Sequence, residues 1–288
     1  MSLVLLHAKH YTGVTTAASH LIILSVIDNV YLHKNLLMPV VLKEIIEGVA
    51  IITLNRDEKM NAINREMALL LQQFLSECAN DSSVRVILIT AKGKAFCAGQ
   101  DLDEASDVKM MKKILPDQLN PLVSAIYNST KPVVAAVNGI AAGAGASIAL
   151  CCDIIVAKKS AQFVQAFGKL GLVPDSGATF ILPRMVGWQN AAALMMLGEK
   201  IDGEQAEKMG MIYKCFDDPS FDGDALNISK SLAKMSPDAL SLTKLALRRS
   251  VTNTFEQQLN VEDELQALAL ESDAFRQNLQ AFAQRKKV

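Results

Sequence analysis

Residues 131–184 constrain this chain more than any other stretch: KPVVAAVNGIAAGAGASIALCCDIIVAKKSAQFVQAFGKLGLVPDSGATFILPR. An apolar run at Val133–Val137 reads as a strand. A turn of small residues, Gly143-Ala144-Gly145, then opens an apolar helix, and a second strand follows at 153–157. Further on stands one acid in an apolar setting, Asp175 in LVPDSGATF. Strand, tight turn, buried helix and strand in succession belong to an α/β domain.

The flanking sequence extends that pattern. Two β-rich runs within residues 40–54 flank Glu47-Gly48, a hairpin signal. Asn64 is placed to cap a helix whose apolar face carries Met67, Leu70, Leu71, Phe74, Leu75 and Cys78. VRVILIT at 84–90 is apolar nearly throughout, as expected of a strand buried on both faces. Residues 103–118 are rich in charge and are expected to form a mobile helix or loop, and 121–128 a helix. Beyond Pro183 the chain turns largely helical, with Ser236-Pro237 a cap and helical patterns at 237–249, 255–270 and 273–285. The expected organisation is an N-terminal extension at 1–37, an α/β core at 38–225 and a helical region at 226–288. The extension reads as an appended or mis-started segment; the alternative is a true extension docked on the surface.

Composition removes several function classes. With 288 residues, half of them hydrophobic, the chain can bury a sizeable core. A net charge of -1 argues against nucleic-acid binding. The apolar run at 21–27 is too short to span a bilayer, so no membrane association is expected. Five scattered cysteines do not look like a disulfide framework and point to reduced thiols in the cytoplasm. All four histidines (His7, His10, His20, His33) precede Met38. A domain starting at Met38 therefore uses neither a Ser-His or Cys-His pair nor histidine zinc ligands.

Two small-residue turns carry the candidate chemistry. Ala98-Gly99-Gln100-Asp101 follows a buried strand, and Gly143-Ala144-Gly145 follows another and opens a helix. Small residues let a ligand approach the main chain, and amides at a helix start carry partial positive charge. Two such amides can converge on one carbonyl oxygen as an oxyanion hole. The alternative is that the small residues only pack helix against sheet. A phosphate site is disfavoured, since neither turn follows G-x-G-x-x-G and no P-loop is present. Burial would bring Asp175 toward a useful range for proton transfer; its alternative role is a turn or helix cap before Ser176-Gly177. Val108, Met110 and Met111 are candidates for a pocket wall, a flap or plain core. Arg56 and Lys59 are candidates to meet a phosphate, with a solvated surface role as the default.

From about Met38 onward the chain resembles the crotonase (enoyl-CoA hydratase/isomerase) superfamily. The matching pieces are LNRDEKMNAIN (54–64), KAFCAGQDL (94–102), residues 131–157, QFVQAFGKLGLVPDSGATFILPRMVG (162–187) and AFAQRKK (281–287). The resemblance implies an α/β crotonase-like spiral of ββα units with a C-terminal helical trimerisation region, assembling as a homotrimer or dimer of trimers. It also implies an acyl-CoA substrate and neither metal nor bound organic cofactor, CoA entering with the substrate. It places the two oxyanion amides on Gln100 and Ala144. Ala62, Ala98, Asp101 and Leu102 would line the CoA site, with Phe282 and Lys286 reaching CoA from a C-terminal helix. Hydratases of the family resemble one another in two glutamates; here those positions hold Ser147 and Phe167. Asp175 occupies the place where isomerases carry an acid. NPLV (120–123) and TNTFEQQLNVED (252–263) are most similar to the subgroup of ring-1,2-epoxyphenylacetyl-CoA isomerases, although Gly177-Ala178-Thr179 replaces the common Gly-Gly-Thr. Alternatives are a hydratase and a non-catalytic acyl-CoA-binding homologue.

Overall fold

A computed structural model describes residues 39–104 and 108–285. The 1–37 extension and Lys286 lie outside the described residues. The chain first forms the expected hairpin, β1 (Val41–Ile46) and β2 (Val49–Leu54), paired antiparallel. Its two-residue turn holds Glu47 at φ 50° and Gly48 at φ 81°. Positive φ at both positions matches the twist of the flanking strands. Helix Arg65–Asn80 follows, capped by Asn64, whose side chain accepts from the Met67 N–H at 2.9 Å.

From here the chain alternates between two sheets. β3 (Val86–Ala91), β5 (Val133–Val137) and β7 (Ile154–Lys158) join a six-stranded sheet of order β1-β2-β3-β5-β7-β10, with β10 at Lys214–Phe216. Each is followed within a few residues by a three-residue strand: β4 (Ala95–Cys97), β6 (Ile140–Ala142) and β8 (Gln162–Val164). With β9 (Lys200–Asp202) these form a second sheet of order β4-β6-β8-β9. Long strand, short strand, helix, repeated, is the expected spiral. Corners between the sheets are tight. A Cβ on Gly139, between β5 and β6, would lie 2.1 Å from the Lys94 carbonyl oxygen, so only glycine fits.

Core packing follows the pleat of the large sheet. Ile52, Ile87, Ile89, Ala135, Val137 and Ile155 face the core shared with helix Arg65–Asn80 and the small sheet. Their neighbours Val49, Val86, Leu88, Val134 and Val156 face the opposite side, covered by Phe221 and Ala225 of helix Phe221–Ala233. Strands apolar on both sides are thus buried on both sides. The C-terminal patterns form helices Pro237–Ser250, Phe255–Leu270 and Asp273–Arg285. Described residues from Val40 on belong to one compact unit.

Residues 103–118 are more regular than their charge content implies. Apart from 105–107, outside the described residues, they form a short turn at Leu102–Glu104, helix Val108–Ile114 and a π-helical turn at Leu115–Leu119 containing Pro116. Ile114 and Leu119 anchor this segment in the core, which net charge along the sequence hides.

Candidate active site

The two small-residue turns lie against each other. A Cβ on Gly99 would sit 2.9 Å from the Ala142 carbonyl oxygen and 3.6 Å from the Ala144 amide nitrogen. One on Gly145 would sit 2.3 Å from the Cys97 carbonyl oxygen. The small residues do pack, as the plain alternative proposes, but they pack turn on turn, and that contact brings the Gln100 and Ala144 main chains together.

The local backbone pattern spends neither amide. Ile63 bridges to Gln100 in parallel fashion: the Ile63 N–H donates to Gly99 at 2.7 Å and the Asp101 N–H donates to Ile63 at 2.9 Å. In this pattern the bonds come from the residues on either side, and the middle residue's N–H points away from its partner strand. Ala144 begins helix Ala144–Leu150, so its N–H has no intrahelical acceptor. Gly143, just before it, sits at φ 50° and donates to the Val164 carbonyl at 2.9 Å, which fixes the turn.

Gln100, Ala144 and Asp175 line one cavity of about 520 Å³. Ala98, Gly99, Ala142 and Gly143 complete its main-chain side. Leu102, Val108, Met111, Ile114, Leu115, Leu119, Leu170 and Leu172 make an aliphatic wall. Of the three candidates at 108–111, Val108 and Met111 border the cavity, whereas Met110 does not.

Among the described lining residues Asp175 is the one carboxylate and Lys112 the one cation. Asp175 is half-buried, and its burial pushes the carboxyl above the ordinary aspartate value of 3.8. The Ser176 hydroxyl donates to Oδ1 at 2.8 Å and opposes that rise. Asp175 is not spent as a cap: helix Ala178–Leu197 begins after Gly177 without any side-chain cap.

Ser147 and Phe167, the positions that the resemblance sets against two glutamates, are closed to acid–base work. Ser147 is fully buried, and its hydroxyl donates back to the Gly143 carbonyl at 3.1 Å. Phe167 borders the cavity as an aromatic wall facing Gly143.

Residues read as CoA contacts divide. Ala98 and Leu102 border the cavity. Ala62, Asp101 and Lys59 do not. The Ala62 carbonyl accepts from Arg56 Nη1 at 2.9 Å. Asp101 is 5% exposed and pairs with Arg56 at 2.6 Å. Burial alone would raise its carboxyl, but bonds from Arg56 and the Asp103 N–H, with the Arg56 charge, hold it below the usual range. Its side chain therefore locks the loop behind the Gln100 turn. Lys59 pairs at the surface with Asp103 at 2.8 Å. Phe282, on the last helix, is exposed and does not border the cavity.

Sequence reasoning missed two residues that build the site. Asn61, buried at φ 55°, donates to the Lys92 and Ala95 carbonyls at 2.8 Å each and accepts from the Arg56 N–H, tying its own loop to the β3–β4 connection. Asparagine's tolerance of left-handed backbone was the available signal. Ser176 was read only as the residue after Asp175. Among the described residues no cluster of His, Cys, Asp or Glu is arranged to hold a metal, and no helix is long and apolar enough to cross a membrane.

A spiral of strand–strand–helix turns, with two glycine-bearing turns over an apolar cavity, is the crotonase fold. An enoyl-CoA hydratase from Bacillus anthracis superposes with a TM-score of 0.83 at 26% identity, covering 85% of this chain and 96% of that one. An enoyl-CoA hydratase from Polaromonas sp. JS666 gives 0.81 at 29% identity, covering 85% and 97%. The sequence profile of the enoyl-CoA hydratase/isomerase family matches residues 44–288, and the chain belongs to that family. It is 40% identical over 254 residues to the 1,2-epoxyphenylacetyl-CoA isomerase of Escherichia coli (strain K12), covering 85% of this chain and 96% of the relative. It is also 40% identical over 244 residues to a probable enoyl-CoA hydratase of Rhodobacter capsulatus, covering 84% and 94%.

Proposed function

We propose that this enoyl-CoA hydratase/isomerase family member is an acyl-CoA isomerase. It would move a double bond, or open a ring epoxide, beside a CoA thioester. The observation that carries this reading is a cavity with Asp175 as its one described carboxylate, bordered by the Gln100 and Ala144 turns. Asp175 takes a proton from carbon in conjugation with the thioester. The electron pair moves onto the thioester oxygen, where the two amides hold the enolate. Protonated Asp175 then returns the proton to a different carbon. One proton leaves and one comes back, so the step needs neither cofactor nor metal, and CoA arrives with the substrate. A carboxyl raised by burial suits both halves of the exchange.

Two relatives at the same identity carry different reaction names, so the reaction is read from the side chains. Water addition needs an acid and a base to hold the water. Ser147 and Phe167 offer neither. Phenylacetate breakdown is the pathway suggested by the likeness to the E. coli isomerase. A homotrimer or dimer of trimers, with Phe282 and Lys286 reaching CoA from a C-terminal helix, belongs to the same reading, as does a cytoplasmic location. The five unpaired cysteines support that location.

The test is a panel of acyl-CoAs, among them 3-enoyl esters, a ring-epoxide ester and crotonyl-CoA, followed by mass spectrometry and NMR. Isomerisation without water addition is expected. Hydration of crotonyl-CoA at an ordinary enzymatic rate would establish the hydratase instead. Tight binding of every ester with no turnover would establish a non-catalytic binder.

A further inference from the structure

We propose that Ser176 is a positioning residue that aims the Asp175 carboxylate and keeps it ionised for proton abstraction. This rests on the reading of Asp175 as the general acid/base. Ser176 is 2% exposed and does not border the cavity, so it acts through its neighbour. Its hydroxyl bond to Oδ1 leaves Oδ2 without a partner among the described residues and able to meet a substrate proton.

The backbone at Ser176 is costly for a residue with a side chain. Its φ is 54°, in the left-handed region, and Gly177 follows at φ 83°. A glycine would adopt that conformation freely, so the hydroxyl is the feature a serine adds there. Two contacts hold the turn. The Ala178 N–H donates to the Asp175 carbonyl at 3.1 Å. The Cys151 thiol donates to the Ser176 carbonyl at 3.5 Å. Cys151 ends the helix that begins at Ala144. One short helix thus presents an oxyanion amide at its start and steadies the turn that carries the acid at its end.

The electrostatics around Asp175 leave Ser176 an outsized role. The shift of its carboxyl comes from burial, opposed by the Ser176 hydroxyl. The Cys151 thiol, pushed up to about 12 by burial, is neutral at working pH. Lys112 is the other charged side chain described on the cavity, and it is exposed. A donor to the ionised form favours that form, so its removal lets burial act unopposed.

The experiment is the pH profile of kcat/KM for conversion of 3-hexenoyl-CoA to 2-hexenoyl-CoA by the wild type, Ser176→Ala and Ser176→Gly. In both variants the acidic limb should move up by about one pH unit, with kcat on the high-pH plateau reduced several-fold and KM nearly unchanged. The glycine variant suits the left-handed backbone and should melt no lower than wild type, which separates loss of the hydroxyl from loss of the fold. An unmoved limb, or an equal fractional loss at every pH, overturns the proposal. Asp175→Asn separates it from the reading beneath it. If that variant still isomerises 3-hexenoyl-CoA, the general-base reading fails. If it is inactive while the serine variants keep the wild-type limb, only the positioning role fails.

Discussion

The cavity has two unlike sides. On one, main chain packs on main chain: Gly99 and Gly145 leave no room for a Cβ, and Ala144 is 3% exposed. On the other, an outer tier of side chains stands largely free above the buried Ile114 and Leu119: Val108 is 67% exposed and Leu172 45%. On the proposed reading, the first side holds the groups that would meet the thioester oxygen and the second would meet the acyl group. An oxyanion hole works only if its donors are already in place when charge develops, which calls for rigid backbone. An aliphatic wall recognises by shape alone, and its exposed residues can be exchanged at little cost to the fold. Chemistry and selectivity are thus assigned to different kinds of structure.

The sharpest way to break this contrast is Gly145→Val. Its Cβ would meet the Cys97 carbonyl at 2.3 Å, and backbone cannot swing aside as a side chain can. Loss of turnover and destabilisation of about 3 kcal/mol or more are expected, seen as a drop in Tm of about 6 °C or more. An unchanged melt would mean that the turns are not in contact.

Asp175→Asn comes next, with turnover falling about 10²–10⁴-fold and the fold intact. The sign of its stability effect follows from the raised folded-state carboxyl. Such a group favours the folded state most when protonated, below its unfolded value, and loses that contribution as pH rises through its folded value. At neutral pH the ionised carboxyl is a burden that asparagine lacks, so Tm should hold or rise. A lower Tm would show that the carboxylate supports the fold.

Third is the wild-type pH profile. If Asp175 is the base, kcat/KM should fall about tenfold per unit below an apparent value above 3.8, the ordinary aspartate value from which burial raises it. A limb below 3.8 would point to another group. The smallest effects belong to the wall. Val108→Ala and Leu172→Ala should change Tm by about 2 °C or less while shifting the preference between long and short 3-enoyl esters by about tenfold. A large loss of stability with unchanged preference would reverse the roles of the two sides.

Legibility followed the length over which a pattern repeats. The hairpin and helix Arg65–Asn80 repeat an apolar period several times and were readable to within a few residues. The strands of the small sheet span three residues each, too few to show alternation, and their motifs read as turns. Asp101 stood in a matching motif, yet its carboxylate turns inward to Arg56, a partner 45 positions away that no local rule selects. Ser176 was hidden for a related reason: one φ angle decides where its hydroxyl points.

By itself the sequence determined the family, the two small-residue turns and the presence of Ser147, Phe167 and Asp175 at the positions the resemblance singles out, because these are matters of residue identity along the chain. Only the tertiary structure decided that Gln100, Ala144 and Asp175 share a cavity, and that Ala62, Asp101 and Lys59 stand behind it or at the surface. Whether groups far apart in the chain meet depends on how strands cross between the sheets, a summed result of packing over the whole core that no single segment encodes.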